Sequence, residues 1–144
     1  MKTKNIIIEQ VDIEESIEDV QPPPYNLEST FLTMKDWLLD ICDSQNPKKR
    51  ITDYALGIFE SPEENIIFLV GLNKHGDKTV ISFKPYHMYY PLQKSEYGEL
   101  NRDQLINKLT IQLQEFTESQ KFNSSFLCQA NSILLNGTTK IWSK

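Results

Sequence analysis

Two cysteines and two histidines in 144 residues leave little material for metal or disulfide chemistry. Neither His75 nor His87 has an i, i+4 partner or a cysteine pair near it, so zinc-site spacing is missing and no metal or other cofactor is expected. Cys42 and Cys128 are too few for a disulfide framework. They could pair in principle, but Cys42 falls on a helical face among Leu38, Leu39 and Ile41, where a buried free thiol is the plainer reading. The five glycines form no phosphate-binding loop, dinucleotide fingerprint or nucleophile elbow. No apolar run approaches the roughly 20 residues that a bilayer span needs. The apolar core of the first nine residues, Ile6-Ile7-Ile8, is too short for a signal peptide. A cytoplasmic location without membrane contact is the expectation.

What is present is an ordinary mixture, 39% hydrophobic and 24% charged, long enough for one core that needs no staple. The charge is uneven. Residues 1–43 hold ten acids against Lys2, Lys4 and Lys35, a balance of −7, while the remaining 101 residues balance at +2. A field of that sign repels phosphate backbones, which argues against nucleic acid as a partner, and it steers basic proteins inward. The plain alternative is a solvated acidic tail that serves solubility.

Residues 1–26 read as an acidic arm that ends at Pro22-Pro23-Pro24, and residues 27–144 as a single α+β domain. Within the arm Ile6-Ile7-Ile8 suits a short edge strand, and Ile13, Ile17 and Val20 recur near helical spacing. A helix is predicted from a cap at Ser29 or Thr30 to about Asp43. Phe31, Met34, Leu38 and Ile41 form its apolar stripe, widened by Trp37 and Cys42. Asp36, Asp40 and Asp43 make an acidic ridge along another face, which reads as a solvated surface more readily than as a cation site. Ser44-Gln45-Asn46-Pro47 ends the helix, and the one basic run, Lys48-Lys49-Arg50, reads as a solvated loop.

Three strands follow, at 53–59, 66–72 and 79–83, joined by two short loops that suit antiparallel hairpins; His75 lies in the second loop. The middle strand is apolar on both faces and needs cover on both. The next segment, 83–92, carries four aromatic side chains (Phe83, Tyr86, Tyr89, Tyr90), with Pro85 and Pro91 limiting its ladder bonds, so an edge strand or extended crossing is predicted. Tyrosines beside His87 and Met88 are also what binding hot spots are rich in; the competing reading is a strand whose rings face inward. Asn101 with Gln104 makes a capping box for a helix of about five turns that runs to about Lys121. Residues 124–135 space Phe126, Leu127, Ala130, Ile133 and Leu134 at helical intervals, which predicts a shorter helix stopped by Asn136-Gly137. The expected fold is therefore an antiparallel three- to four-stranded meander packed against an N-terminal helix and one or two C-terminal helices.

The order of these segments carries a resemblance. A capped helix through Trp37-Leu38-Leu39, the strands Tyr54-Ala55-Leu56-Gly57-Ile58-Phe59-Glu60 and Ile67-Phe68-Leu69-Val70-Gly71, and Phe83-Lys84-Pro85-Tyr86 before a long helix resemble the small immunity proteins of bacterial contact-dependent inhibition and related polymorphic toxin systems. The likeness covers about residues 29–142; the acidic arm has no counterpart in it. It implies a cytoplasmic, non-catalytic protein that binds a cognate toxin domain, often a nuclease, and blocks its active site or substrate groove. Asp36, Asp40, Asp43, Trp37, Tyr86, His87, Tyr89 and Tyr90 are the candidate partner-binding residues, the aromatic ones on condition that they are exposed. Two other classes stay open: an interaction or adaptor domain without a toxin partner, and a small enzyme that works through His87.

Overall fold

The computed structural model describes residues 22–23, 27–44, 51–60, 64–73, 79–81 and 83–144. Most of the acidic arm, its apolar positions, the basic run at 48–50 and His75 lie outside the described residues. The domain is α+β. Strand β1 (Asp53–Phe59) pairs antiparallel with β2 (Ile66–Asn73) in unbroken register from Asp53↔Leu72 to Phe59↔Ile66. β3 (Thr79–Ile81) continues the meander against Gly71–Asn73. As its composition requires, β2 feeds both faces: Ile67 and Leu69 enter one apolar cluster, and Phe68, Val70 and Leu72 enter another.

Beyond the meander the sheet departs from the expected one. It is mixed rather than antiparallel and, among the described residues, has six strands: the order is β3-β2-β1-β5 (Ser132–Leu135)-β6 (Thr139–Ser143), with β4 (Tyr89–Pro91) also pairing with β2. The segment predicted as the last helix divides instead into a 3-10 turn, Phe126–Gln129, and β5 (Ser132–Leu135), which lies parallel to β1 from Asp53↔Ser132 to Leu56↔Leu135. Helical spacing misled because Ile133 and Leu135 alternate inward in a short strand, and so short a run fits either period. Asn136-Gly137 is likewise not a helix stop. Both residues have positive φ, 55° and 81°, and Thr138 N–H donates to Leu135 O at 3.3 Å, as a type I′ turn requires. That turn sends β6 (Thr139–Ser143) back antiparallel to β5.

The aromatic segment also differs from a plain edge strand. Pro85–Met88 forms one helical turn, α2, and only Tyr89–Pro91 extends, as β4, against Ile66–Phe68. β3 and β4 thus share one edge of β2, at opposite ends of it. Pro91 costs little at such an edge.

The longer helices cover one face. The first, α1 (Met34–Asp43), begins later than predicted. Thr33 caps it by accepting from Asp36 N–H, whereas the Ser29 hydroxyl accepts from Phe31 N–H and closes a local turn upstream. After a short helix α3 (Lys94–Tyr97), the capping box of Asn101 and Gln104 opens α4 (Arg102–Phe116) as expected. α4 stops at Phe116, short of Lys121, because Ser119 caps a separate turn, α5 (Gln120–Asn123). Trp37, Leu38, Leu105, Leu109, Leu113 and Phe122 pack with Tyr54, Leu56, Ile67 and Leu69 in the main core. Each such fully buried side chain contributes about 1.5–3 kcal/mol. On the other face Ala55, Phe68, Val70, Leu72, Met88 and Tyr89 are buried, and Leu27, Phe59, Ile66, Phe83 and Leu134 pack against them. Gly57 makes room there for a ring: a Cβ on it would come within 2.3 Å of Phe68 Cζ.

Candidate functional site

The acidic ridge forms where the helical period puts it. Asp36 and Asp40 stand one turn apart on the exposed side of α1, and Asp43 follows at its C-terminal end. Among the described residues two of the three have side-chain ion partners. Asp40 Oδ2 is 2.8 Å from His87 Nε2, with the Asp40 side chain 47% exposed and the His87 side chain only 13%. Asp43 Oδ1 is 2.6 Å from Lys121 Nζ, and this carboxylate raises the Lys121 pKa, chiefly through the hydrogen bond. Carboxylates in the last turn of a helix oppose its dipole, at a cost of roughly 0.3–1 kcal/mol each. Lys121 offsets that cost at Asp43, and His87 does so at Asp40 whenever the ring is protonated.

The one-turn helix α2 brings His87 and Tyr86 to this place. The Tyr86 ring lies 4.3 Å from the imidazole centroid at a 54° tilt and is 51% exposed. Asp36, Asp40, Tyr86 and His87 therefore share one surface beside α1. Three of the other predicted anchors do not meet the condition of exposure. Trp37 and Tyr90 stack at 5.7 Å and 20° in the main core, 0% and 1% exposed, and Tyr89 is buried on the opposite face of the sheet. The cause is the strand period: once Tyr89 and Tyr90 belong to β4 their rings must point to opposite faces, and both faces are covered. The Tyr90 hydroxyl donates to Phe31 O at 3.3 Å; burial pushes its pKa and that of Tyr89 up. Among the described residues the buried Trp37 Nε1 has no hydrogen-bond partner, a deficit of about 1–3 kcal/mol.

Two features were not legible in the sequence. A cleft of about 500 Å³ opens between α1, α3 and α4, floored by Met34, Leu38, Tyr97 and Phe116 and rimmed by Lys35, Glu96, Gln112 and Glu115. Its α1 wall comes from a segment some 60 to 80 positions before the other two, so no spacing announces it. The second is a polar node at the seam of β1 and β5. The buried Asp53 carboxylate accepts from the Thr52 hydroxyl at 2.8 Å and from the Ser132 hydroxyl at 2.7 Å. Its place at the seam and its full burial make it structural.

Among the described residues no group of three or more His, Cys, Asp and Glu side chains is placed to hold a metal ion. Among them, too, no helix is long and apolar enough to cross a membrane. No protein family, curated protein or solved structure matches the chain.

Proposed function

We propose that this chain is an immunity protein, which binds a cognate bacterial toxin domain and blocks its active site or substrate groove with the surface beside α1. The observation that carries the reading is the juxtaposition of Asp36 and Asp40 with the exposed Tyr86 ring, Asp40 being held by His87. A nuclease presents a basic groove to its substrate. Carboxylates one helical turn apart stand where phosphates would lie and steer the encounter, and the tyrosine supplies a rigid anchor at small entropic cost. The hydrogen bond to His87 fixes the Asp40 carboxylate before the partner arrives, which lowers the ordering cost of binding. On this reading the chain works in the cytoplasm, performs no catalysis, and has a protein rather than a nucleic acid or a membrane as its partner.

The test is co-expression with the toxin domain encoded immediately upstream. Survival of the host and co-purification of the two chains are expected, and a protein that neither binds nor neutralises that domain overturns the proposal. Asp36→Lys with Asp40→Lys is expected to weaken binding at least tenfold, mostly through the association rate; Tyr86→Ala should act mostly through dissociation.

The same hydrogen bond gives a specific basis for a second reading, a small enzyme with His87 as a base oriented by Asp40. It has less behind it, because among the described residues no hydrogen bond joins the imidazole to a serine, threonine or cysteine. His87→Gln separates the two: it should leave toxin binding within a few-fold, whereas it would abolish a reaction that uses the ring as base.

A further inference from the structure

The cleft between α1, α3 and α4 takes no part in the acidic surface that carries Asp40, and it has the make-up of a small-molecule site. About 500 Å³ lies open above a floor of Met34, Leu38, Tyr97 and Phe116. That is within the roughly 300–1,000 Å³ usual for ligand pockets. Met34 and Leu38 stand on the flank of α1 turned away from Asp36 and Asp40, so an occupant here leaves the acidic ridge free.

The polar groups of the rim fall into two sets. One set is already engaged and stiffens the wall made by α3 and α4. The Tyr97 hydroxyl donates to Gln112 Oε1 at 2.7 Å, Gln112 Nε2 donates to Glu96 Oε2 at 3.0 Å, and Lys108 Nζ lies 3.7 Å from that same carboxylate. The other set is unspent. Among the described residues the side chains of Lys35, in the first turn of α1, and Glu115, on α4, have no hydrogen-bond or ion partner, and they stand on facing walls beyond reach of each other. Thr33 also lines the cleft; its hydroxyl oxygen accepts from Asp36 N–H, which leaves the hydroxyl proton to donate.

An apolar floor between an unpaired cation and an unpaired anion answers to one ligand chemistry, a small zwitterion with an apolar body. A neutral apolar guest leaves both charges unanswered, and a guest of single charge meets a like charge on one wall. We propose that the cleft binds a free apolar amino acid or a short apolar peptide. The carboxylate lies on Lys35 and the Thr33 hydroxyl, the ammonium on Glu115, and the side chain on Met34, Leu38 and Phe116. The dipole of α1 adds positive potential on the wall that takes the carboxylate. The hydrogen bonds through Gln112 hold the opposite wall in place beforehand, so little side-chain freedom is lost when the guest enters.

The experiment titrates the full-length protein with L-phenylalanine, L-leucine and the dipeptide leucyl-leucine, followed by calorimetry and by the methyl resonances of Met34 and Leu38. Expected are one saturable site with a Kd below about 1 mM, shifts of both methyl signals and a higher Tm at saturation. Whether the amino acids or the dipeptide bind more tightly assigns the source of the zwitterion. Phenethylamine, which lacks the carboxylate, and hydrocinnamate, which lacks the ammonium, should each bind at least about tenfold more weakly than L-phenylalanine. Lys35→Met should erase the preference over phenethylamine, and Glu115→Gln the preference over hydrocinnamate. Both side chains are exposed, so both variants should melt at the parent's temperature. No saturable binding of any of these zwitterions, equal binding of the one-charge analogues, or binding that both substitutions leave unchanged would each overturn the proposal. The outcome does not depend on the reading of the chain as an immunity protein.

Discussion

At the scale of single residues, the tightest constraint is the Phe68 ring lying across Gly57. Gly57→Ala forces that ring off its position in a closely packed cluster, and a loss of about 1–3 kcal/mol is expected. At this chain length that is a fall in Tm of about 3–4 °C per kcal/mol, readable by calorimetry. Gly57→Ala combined with Phe68→Leu should recover part of it, since the clash is with the ring. The buried phenols set an alkaline limit. Burial raises the pKa of Tyr54 and Tyr97 far above the ordinary value, so the folded state keeps their protons after the unfolded chain has lost them. The stability they confer is intact below about pH 10 and falls as pH climbs past it. Melting curves across the alkaline range should show this decline, with tyrosinate absorbance appearing together with unfolding. Tyr54→Phe should shift the decline to higher pH.

At the scale of elements, the parts with strong local signals were legible. Asn101 and Gln104 announce α4, and Asn101→Ala should cost about 1 kcal/mol in a urea titration, because the Gln104 N–H loses its side-chain acceptor while the backbone N–H of residue 101 keeps Gln104 Oε1. The meander was legible because β1 and β2 are long and β-rich. What misled was a signal with two meanings. Asn136-Gly137 ends helices and also makes type I′ turns, and only the pairing of Ser132–Leu135 with β1, some 80 residues upstream, decides between them. Gly137→Val should therefore disturb the β5–β6 hairpin rather than a helix end, a distinction that amide exchange at Ile133 and Ile141 would reveal. The same limit governs the candidate site. Asp36 and Asp40 were readable as surface from the helical period, whereas the exposure of Tyr86 stayed a condition that composition did not decide. The burial of Trp37, Tyr89 and Tyr90 depends on what covers the sheet, and so does the meeting of His87 with Asp40, 47 positions apart; no local pattern encodes either.

At the scale of the whole molecule, the charge separates into an acidic front section and a slightly basic remainder, and α1 lies at their border. If a basic partner docks beside α1, association should slow steeply with added salt while dissociation changes little, and stopped-flow traces at several ionic strengths would show it. The topology imposes a further condition, on the order of assembly. β1 lies inside the sheet, yet the neighbour on one of its edges is β5, whose Ser132 sits 79 residues after Asp53. While the chain emerges from the ribosome the β1–β2 hairpin can form early, but its inner edge stays open until Ser132–Leu135 has been made. An open edge on a flat apolar strand is a template for the wrong neighbour. Productive folding thus waits for β5, and a chain stopped before Ser132 should accumulate as aggregate rather than as a smaller soluble domain.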